Sequence, residues 1–436
     1  MSVYNLISFF GFFILIGIAW LFSDNRKIIN VRVIVWGSAI QFLFGFMVFV
    51  FPPGVSFFLI LNDLVVKVMN SATSGALFVF GRLALPPGSV SASGEESLGF
   101  FLAFQGLPTI IFFSALISIL YYYGIMQRLI RAFAYIFTRL MRISGAESLC
   151  AASNIFLGVE STLTIRPNLP TMTRSELTTV LTAGMATVAS NVLAIYVFSL
   201  RSVFPTIAAH LISASFLSAP AAIIMSKIIV PETETPETLG QNIHPAYTRE
   251  SNLFEAIINA ANAGVKLIVG IVALLIAVLG LVALADLFLT GLGGKMNALF
   301  GLGIDWSLKG IMGYIFYPLT VILGVPLTDA GVIARIIGER TIVTELASYQ
   351  DLAAAMKNNL LADPRSAVIC AYALCGFAHV ASIAIFIGGI TAIAPTTTGT
   401  LSRVGLRALI AATFACLMTA CVAGTFFTER SIIFGG

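Results

Sequence analysis

Uninterrupted apolar runs of 18 residues or more recur along this 436-residue chain and decide what it can become. Segments of this kind belong in a bilayer, where no water can satisfy the backbone and only helices or closed barrels span. Barrel strands alternate apolar and polar residues over about ten positions. Here the apolar residues are continuous, so helices are expected. Charge agrees: only 10% of residues are Asp, Glu, Lys or Arg, against roughly 25% in soluble domains. That is too little to coat a soluble surface. An all-α polytopic membrane protein follows, and a cytosolic enzyme or a disordered chain does not fit.

Spans are expected near 5–22, 33–52, 99–123, 205–230, 265–290, 308–325 and 405–427, with less regular apolar stretches over 150–200 and 330–395. No basic residue precedes the first apolar run, which reads as a first span and not a cleaved signal peptide. Arg26, Lys27 and Arg32 follow the first span, and Arg128, Arg131, Arg139 and Arg142 follow the third. The positive-inside rule places both segments in the cytoplasm and the N-terminus outside. The stretch 126–142, with arginines at helical spacing among apolar residues, reads as an amphipathic helix along the membrane surface, and 55–80, with Asp63 and Lys67, as another. A net charge of +4 without a long basic run gives no reason to expect nucleic acid as a partner. The five cysteines (150, 370, 375, 416 and 421) and three histidines form no zinc pattern, so the cysteines are read as small buried hydrophobes.

One polar segment, beginning at Pro231-Glu232 and running to Ser251, falls near the middle of the chain and invites a search for an internal repeat. Gly184-Met-Ala-Thr187-Val188-Ala-Ser190 recurs as Gly376-Phe-Ala-His379-Val380-Ala-Ser382, five of seven positions identical at an offset of 192. About 30 residues before each copy stands a carboxylate in an apolar stretch, Glu160 in one half and Glu345 in the other. A carboxylate at membrane depth costs about 2.5–3.5 kcal/mol on insertion scales and persists where it faces a cavity or a partner. Glycine-interrupted hydrophobic segments at matching places in two halves mark a transporter's substrate site. Each half is therefore expected to form a helical hairpin with its glutamate near the tip, followed by a broken helix.

At these residues the sequence resembles the concentrative nucleoside transporters. Asn154-Ile-Phe-Leu-Gly158-Val-Glu160-Ser-Thr-Leu is similar to the family's first hairpin with one residue deleted. Further matches run in order through Met172–Leu177, Ser218–Ala222, Pro231–Glu234, Gly324–Pro326, Thr344-Glu345, Tyr372–Ala378, Ile387–Gly389 and Met418–Gly424. The resemblance implies about eight transmembrane helices plus two re-entrant hairpins and interfacial helices, an inverted repeat, and a homotrimer in the cytoplasmic (inner) membrane. It divides the chain into N-terminal spans (1–142), a first repeat (143–230), a polar loop (231–255), scaffold spans (256–325) and a second repeat (326–436). It further implies nucleoside import by cation symport with elevator-type alternating access. Na+ is the expected coupling ion and H+ the alternative, with no organic cofactor.

Carried over position by position, the resemblance puts Na+ on Asn154, the Leu157 carbonyl, Thr187 and the Val188 carbonyl. It assigns the sugar to Glu345, Phe377 and Ser382, and the base to Glu160 and Val192. Two ligand-facing positions depart from the family: its Gln-Thr pair is reduced to Val159, and His379 replaces an Asn. With the pair gone, the base pocket is expected to be larger and less selective. His379 can serve substrate, proton or helix backbone, and Glu160 can face the base or pair with Arg166. A channel would want rings of charge, and an enzyme would need more than Ser382 beside His379. A nucleoside receptor without transport, or an importer of a related non-nucleoside ligand, is the alternative function.

Overall fold

The computed structural model describes residues 2–91, 94–246 and 250–428, and among these no strand occurs. Helices α1 (Val3–Leu21) and α2 (Val31–Phe49) stand where the first two spans are expected. The next segment is one 29-residue helix, α3 (Pro52–Phe80), opened by two prolines in the first turn, where no intrahelical N–H is needed. Read from Asp63 and Lys67 as a surface helix, it is long and apolar enough to cross a membrane. The run at 99–123 holds a π-turn (Leu102–Gly106) and then α4 (Pro108–Tyr122). Helix α5 (Ile125–Met141) is amphipathic as expected. It buries Ile130, Ala134, Phe137 and Met141 and exposes Arg128, Arg131 and Arg139.

The irregular stretch at 150–200 resolves into α6 (Gly145–Asn154), a 3-10 turn (Val159–Ile165), α7 (Arg174–Ala186) and α8 (Ser190–Leu200), followed by α9 (Ile207–Ile229). Helices α6 and α7 each start with a reciprocal cap readable in sequence. Ser144 and Glu147 exchange backbone hydrogen bonds, and so do Thr173 and Glu176. After the polar loop come α10 (Leu253–Phe300) and α11 (Leu308–Ile322). The span expected at 265–290 is in fact 48 residues of continuous helix, about 72 Å long, far more than the ~30 Å hydrocarbon thickness requires. The stretch at 330–395 forms α12 (Leu327–Ile342), α13 (Glu345–Lys357), α14 (Pro364–Leu374) and α15 (Val380–Ile393), and α16 (Thr398–Phe426) is the last element among the described residues.

Helices α7, α9, α14 and α16 pack on one another as the centre of the molecule. In their most apolar windows 89% of α9 is buried and none of α10, so α10 turns its apolar surface outward. Lys227 on α9, itself buried, pairs with Glu147 at 2.8 Å and Glu232 at 3.2 Å, tying α9 to the start of α6 and to the polar loop.

The repeated heptapeptide lies on the interruptions between α7 and α8 and between α14 and α15. Two glycines let the interrupted helices cross closely. A Cβ on Gly376 would stand 2.9 Å from the Ala186 carbonyl, and one on Gly184 would enter the Phe386 ring. Backbone cannot recede as a side chain can, so Gly376 is required by contact and not by conformation alone.

Candidate functional site

Glu345 is the first residue of α13, behind Thr344, whose hydroxyl accepts the Ala347 N–H at 3.4 Å. That position suits an anion, because the unpaired N–H groups and the helix dipole favour negative charge there. Tyr196 on α8 donates to Glu345 Oε1 at 2.6 Å. Its ring packs on Tyr349 with centroids 4.8 Å apart, and Tyr349 donates to the Ala371 carbonyl at 2.9 Å. The donor is thus held in place from behind.

The second oxygen, Oε2, faces His379 Nε2 at 3.4 Å. His379 caps α15: its Nδ1 accepts the Ser382 N–H at 3.2 Å, while Ser382 Oγ donates to the His379 carbonyl at 2.6 Å. An Nδ1 that accepts a hydrogen bond carries no proton, so Nε2 is the N–H that points at Glu345. His379 therefore does two things at once: it caps backbone and it addresses the carboxylate. Phe377 lies in the break beside it, ring centroids 6.4 Å apart.

The link between α6 and the 3-10 turn reaches the same place. Val159 packs against Gly389 of α15, where an added Cβ would stand 2.5 Å from Val159 Cγ2, and Gly158 lies against Ala189. The Ser190 N–H donates to the Phe156 carbonyl at 3.0 Å, pinning that link to the first helix break. Val159, Glu160, Val192, Glu345, Phe377, His379 and Ser382, the seven residues expected to face substrate, all line one cavity of about 350 Å³. Among the described residues Glu160 forms no ion pair with Arg166, which is exposed.

The four residues expected to hold the cation fall on the two interruptions of the first half. Asn154 ends α6 and is fully buried, its Oδ1 accepting from Ser161 Oγ at 2.9 Å. Leu157 lies in the non-helical link to the 3-10 turn. Thr187 follows the last residue of α7, its hydroxyl donating to the Ala183 carbonyl at 2.8 Å, and Val188 is buried in the break. Every candidate oxygen is neutral and two come from unwound backbone, a donor set suited to a monovalent cation.

Three family models match the chain in order: the Na+ dependent nucleoside transporter N-terminus over residues 10–83, a nucleoside recognition model over 103–203, and the Na+ dependent nucleoside transporter C-terminus over 210–424. An uncharacterized transporter of Haemophilus influenzae is 38% identical, the alignment covering 96% of this chain and 97% of that one. The chain belongs to the concentrative nucleoside transporter family.

Solute carrier family 28 member 3 of Mus musculus, a member of wider length, is 36% identical across 96% of this chain, which spans only 58% of the mouse protein. A structure of CNTnw in an inward-facing substrate-bound state is 33% identical, covers 97% of this chain and 98% of its own, and superposes with a TM-score of 0.85. Concentrative nucleoside transporters are transport proteins and not enzymes.

Among the cavity residues that the sequence did not single out are Tyr196 and Lys266. Tyr196 stands one helical turn after Val192, so the same face of α8 was a usable signal. Lys266 stands at the head of the apolar run of α10 and also lines the cavity; a lone charge in such a run was signal enough.

Proposed function

We propose that this protein is a secondary active transporter that imports nucleosides across the cytoplasmic membrane by Na+ symport. The observation that carries this is one cavity lined from both halves of the chain and by both helix breaks, with a donor-braced carboxylate on its wall. A ribose presents hydroxyl donors. A carboxylate offers about four lone-pair sites, of which Tyr196 fills one by a hydrogen bond and His379 Nε2 faces another at 3.4 Å. The remainder suit two vicinal hydroxyls. Glu345 and Ser382 then take the sugar with His379 and Phe377, while Val159, Glu160 and Val192 face the base.

Na+ travels as co-substrate on the oxygens of Asn154, Leu157, Thr187 and Val188. A membrane potential contributes about 2.3 kcal/mol per charge per 100 mV, enough for more than tenfold accumulation from one ion. We further propose elevator-type movement of the two repeats (143–230 and 326–436) against the spans at 1–142 and 256–325, a homotrimer, and an external N-terminus. Labelled uptake into proteoliposomes, with a nucleoside panel and with Na+ and pH gradients imposed separately, tests the proposal. Accumulation driven by Na+ supports it. Accumulation driven only by pH replaces the ion, and saturable binding without uptake makes the protein a receptor.

A further inference from the structure

The base end of the cavity lacks the neutral hydrogen-bonding pair of the family, yet it is not apolar. Lys266 of α10 lines it together with Glu160. Gly264, two residues before Lys266, packs on Ile111 and Ser114 of α4, and Ser114 Oγ receives a hydrogen bond from Asn191 Nδ2 at 3.4 Å. Asn191 precedes Val192 and lines the same wall as Glu160. Lys266 thus lies close in the chain to the contact between α10 and α4 that reaches Asn191, on the wall where the base is proposed to lie.

Among the described residues neither the Lys266 ammonium nor the Glu160 carboxylate has an ion-pair or hydrogen-bond partner. Glu345, the other carboxylate on the wall, is hydrogen-bonded by Tyr196 and faced by His379 Nε2 at 3.4 Å. A lysine at the edge of an apolar run normally carries its ammonium out to water. Lys266 is itself an exposed residue, as Glu160 is, so both charges stay in water while they line the cavity and are available to a ligand there.

We propose that Lys266 and Glu160 together select nucleosides of 6-oxopurines, guanosine and inosine, over adenosine; this rests on the nucleoside-transport function proposed above. An ammonium has three donors and no acceptor, and an ionised carboxylate has only acceptors. A 6-oxopurine shows O6 and N7 as adjacent acceptors, the pair that lysine reads in guanine, and a ring N1–H donor beside them for the carboxylate. Guanine adds the N2 amino group as a second donor to the same carboxylate. Adenine puts an amino donor where O6 would be, so the ammonium keeps one acceptor and meets a donor in place of the other. The cavity, at about 350 Å³, lies within the usual range for small-molecule sites and leaves room for a purine.

The test is labelled uptake of inosine, guanosine, adenosine and uridine into proteoliposomes by the full chain and by its Lys266→Met and Lys266→Arg variants, each checked for monodispersity. The wild type should favour inosine and guanosine over adenosine by about tenfold, the size of one good base contact. Lys266→Met should bring that ratio close to one, and Lys266→Arg should retain most of it. An unchanged ratio in Lys266→Met overturns the proposal while leaving nucleoside transport standing. Equal loss of all four substrates overturns it too, since Lys266 would then serve the protein and not the base. Absence of uptake and binding of any nucleoside by the wild type refutes the transport function itself.

Discussion

Replacing Glu345 with glutamine probes the sugar contact with little change of shape. The carboxylate offers about four lone-pair sites. Tyr196 takes one at 2.6 Å and His379 addresses another at 3.4 Å, which leaves about two for sugar hydroxyls. Glutamine has one carbonyl with two such sites. His379 Nε2 carries the proton because Nδ1 caps α15, so the carbonyl must turn toward His379 and the amide toward Tyr196, whose oxygen can accept. One acceptor then remains, and it is neutral. A hydrogen bond to a charged group is worth about 1.5–3 kcal/mol and a neutral one about 0.5–1.5. Losing one of the former and weakening the other costs about 2–4 kcal/mol, or roughly 30- to 1,000-fold in apparent affinity. The concentration dependence of labelled uptake measures it, with thermal melting to confirm an intact fold. Tyr196→Phe removes a donor rather than an acceptor and keeps the stack on Tyr349, so its effect should be smaller. A well-folded Glu345→Gln protein with unaltered affinity would refute the assignment, and a larger effect from Tyr196→Phe would move the sugar onto the tyrosine.

Asn154→Ala and Thr187→Ala each delete a proposed Na+ oxygen and should raise the Na+ needed for half-maximal uptake; uptake indifferent to Na+ but abolished by an uncoupler would make a proton the driver. His379→Ala removes the cap of α15 and should lower stability by about 1 kcal/mol, whereas His379→Asn keeps an acceptor at the capping position and should melt near the wild type. Equal melting of both variants would deny the capping role. Lys227→Met leaves Glu147 buried without its partner, a change that costs about 3–5 kcal/mol; adding Glu147→Gln should recover much of it, and a single mutant as stable as the wild type would show the pair to be dispensable.

Much of this architecture can be read directly because membrane insertion depends on local properties. Run length and the scarcity of charge specify helices, and the arginines of α5 specify its amphipathic face. The reciprocal caps at Ser144 and Thr173 announce where helices begin. The heptapeptide shared by 184–190 and 376–382 marks both helix breaks, since small residues there are what a close crossing needs. Other features depend on what lies across the cavity. The full 48-residue length of α10 exceeds what its apolar core alone would require. Asp63 and Lys67 suggested a surface helix, but a charged side chain says nothing about how far its helix extends. That His379 caps a helix with one nitrogen and faces Glu345 with the other depends on where α13 and α15 meet, 34 residues apart in sequence. Tyr196 is an ordinary member of an apolar helix until packing turns it toward Glu345, and Lys266 of another until packing brings it to the cavity. Sequence by itself determined which segments are helical and where they break, because those are questions of local hydrophobicity and backbone freedom. Only the tertiary structure decided which donors meet which acceptors, because hydrogen bonds reach about 3 Å and that distance is set by elements far apart in the chain.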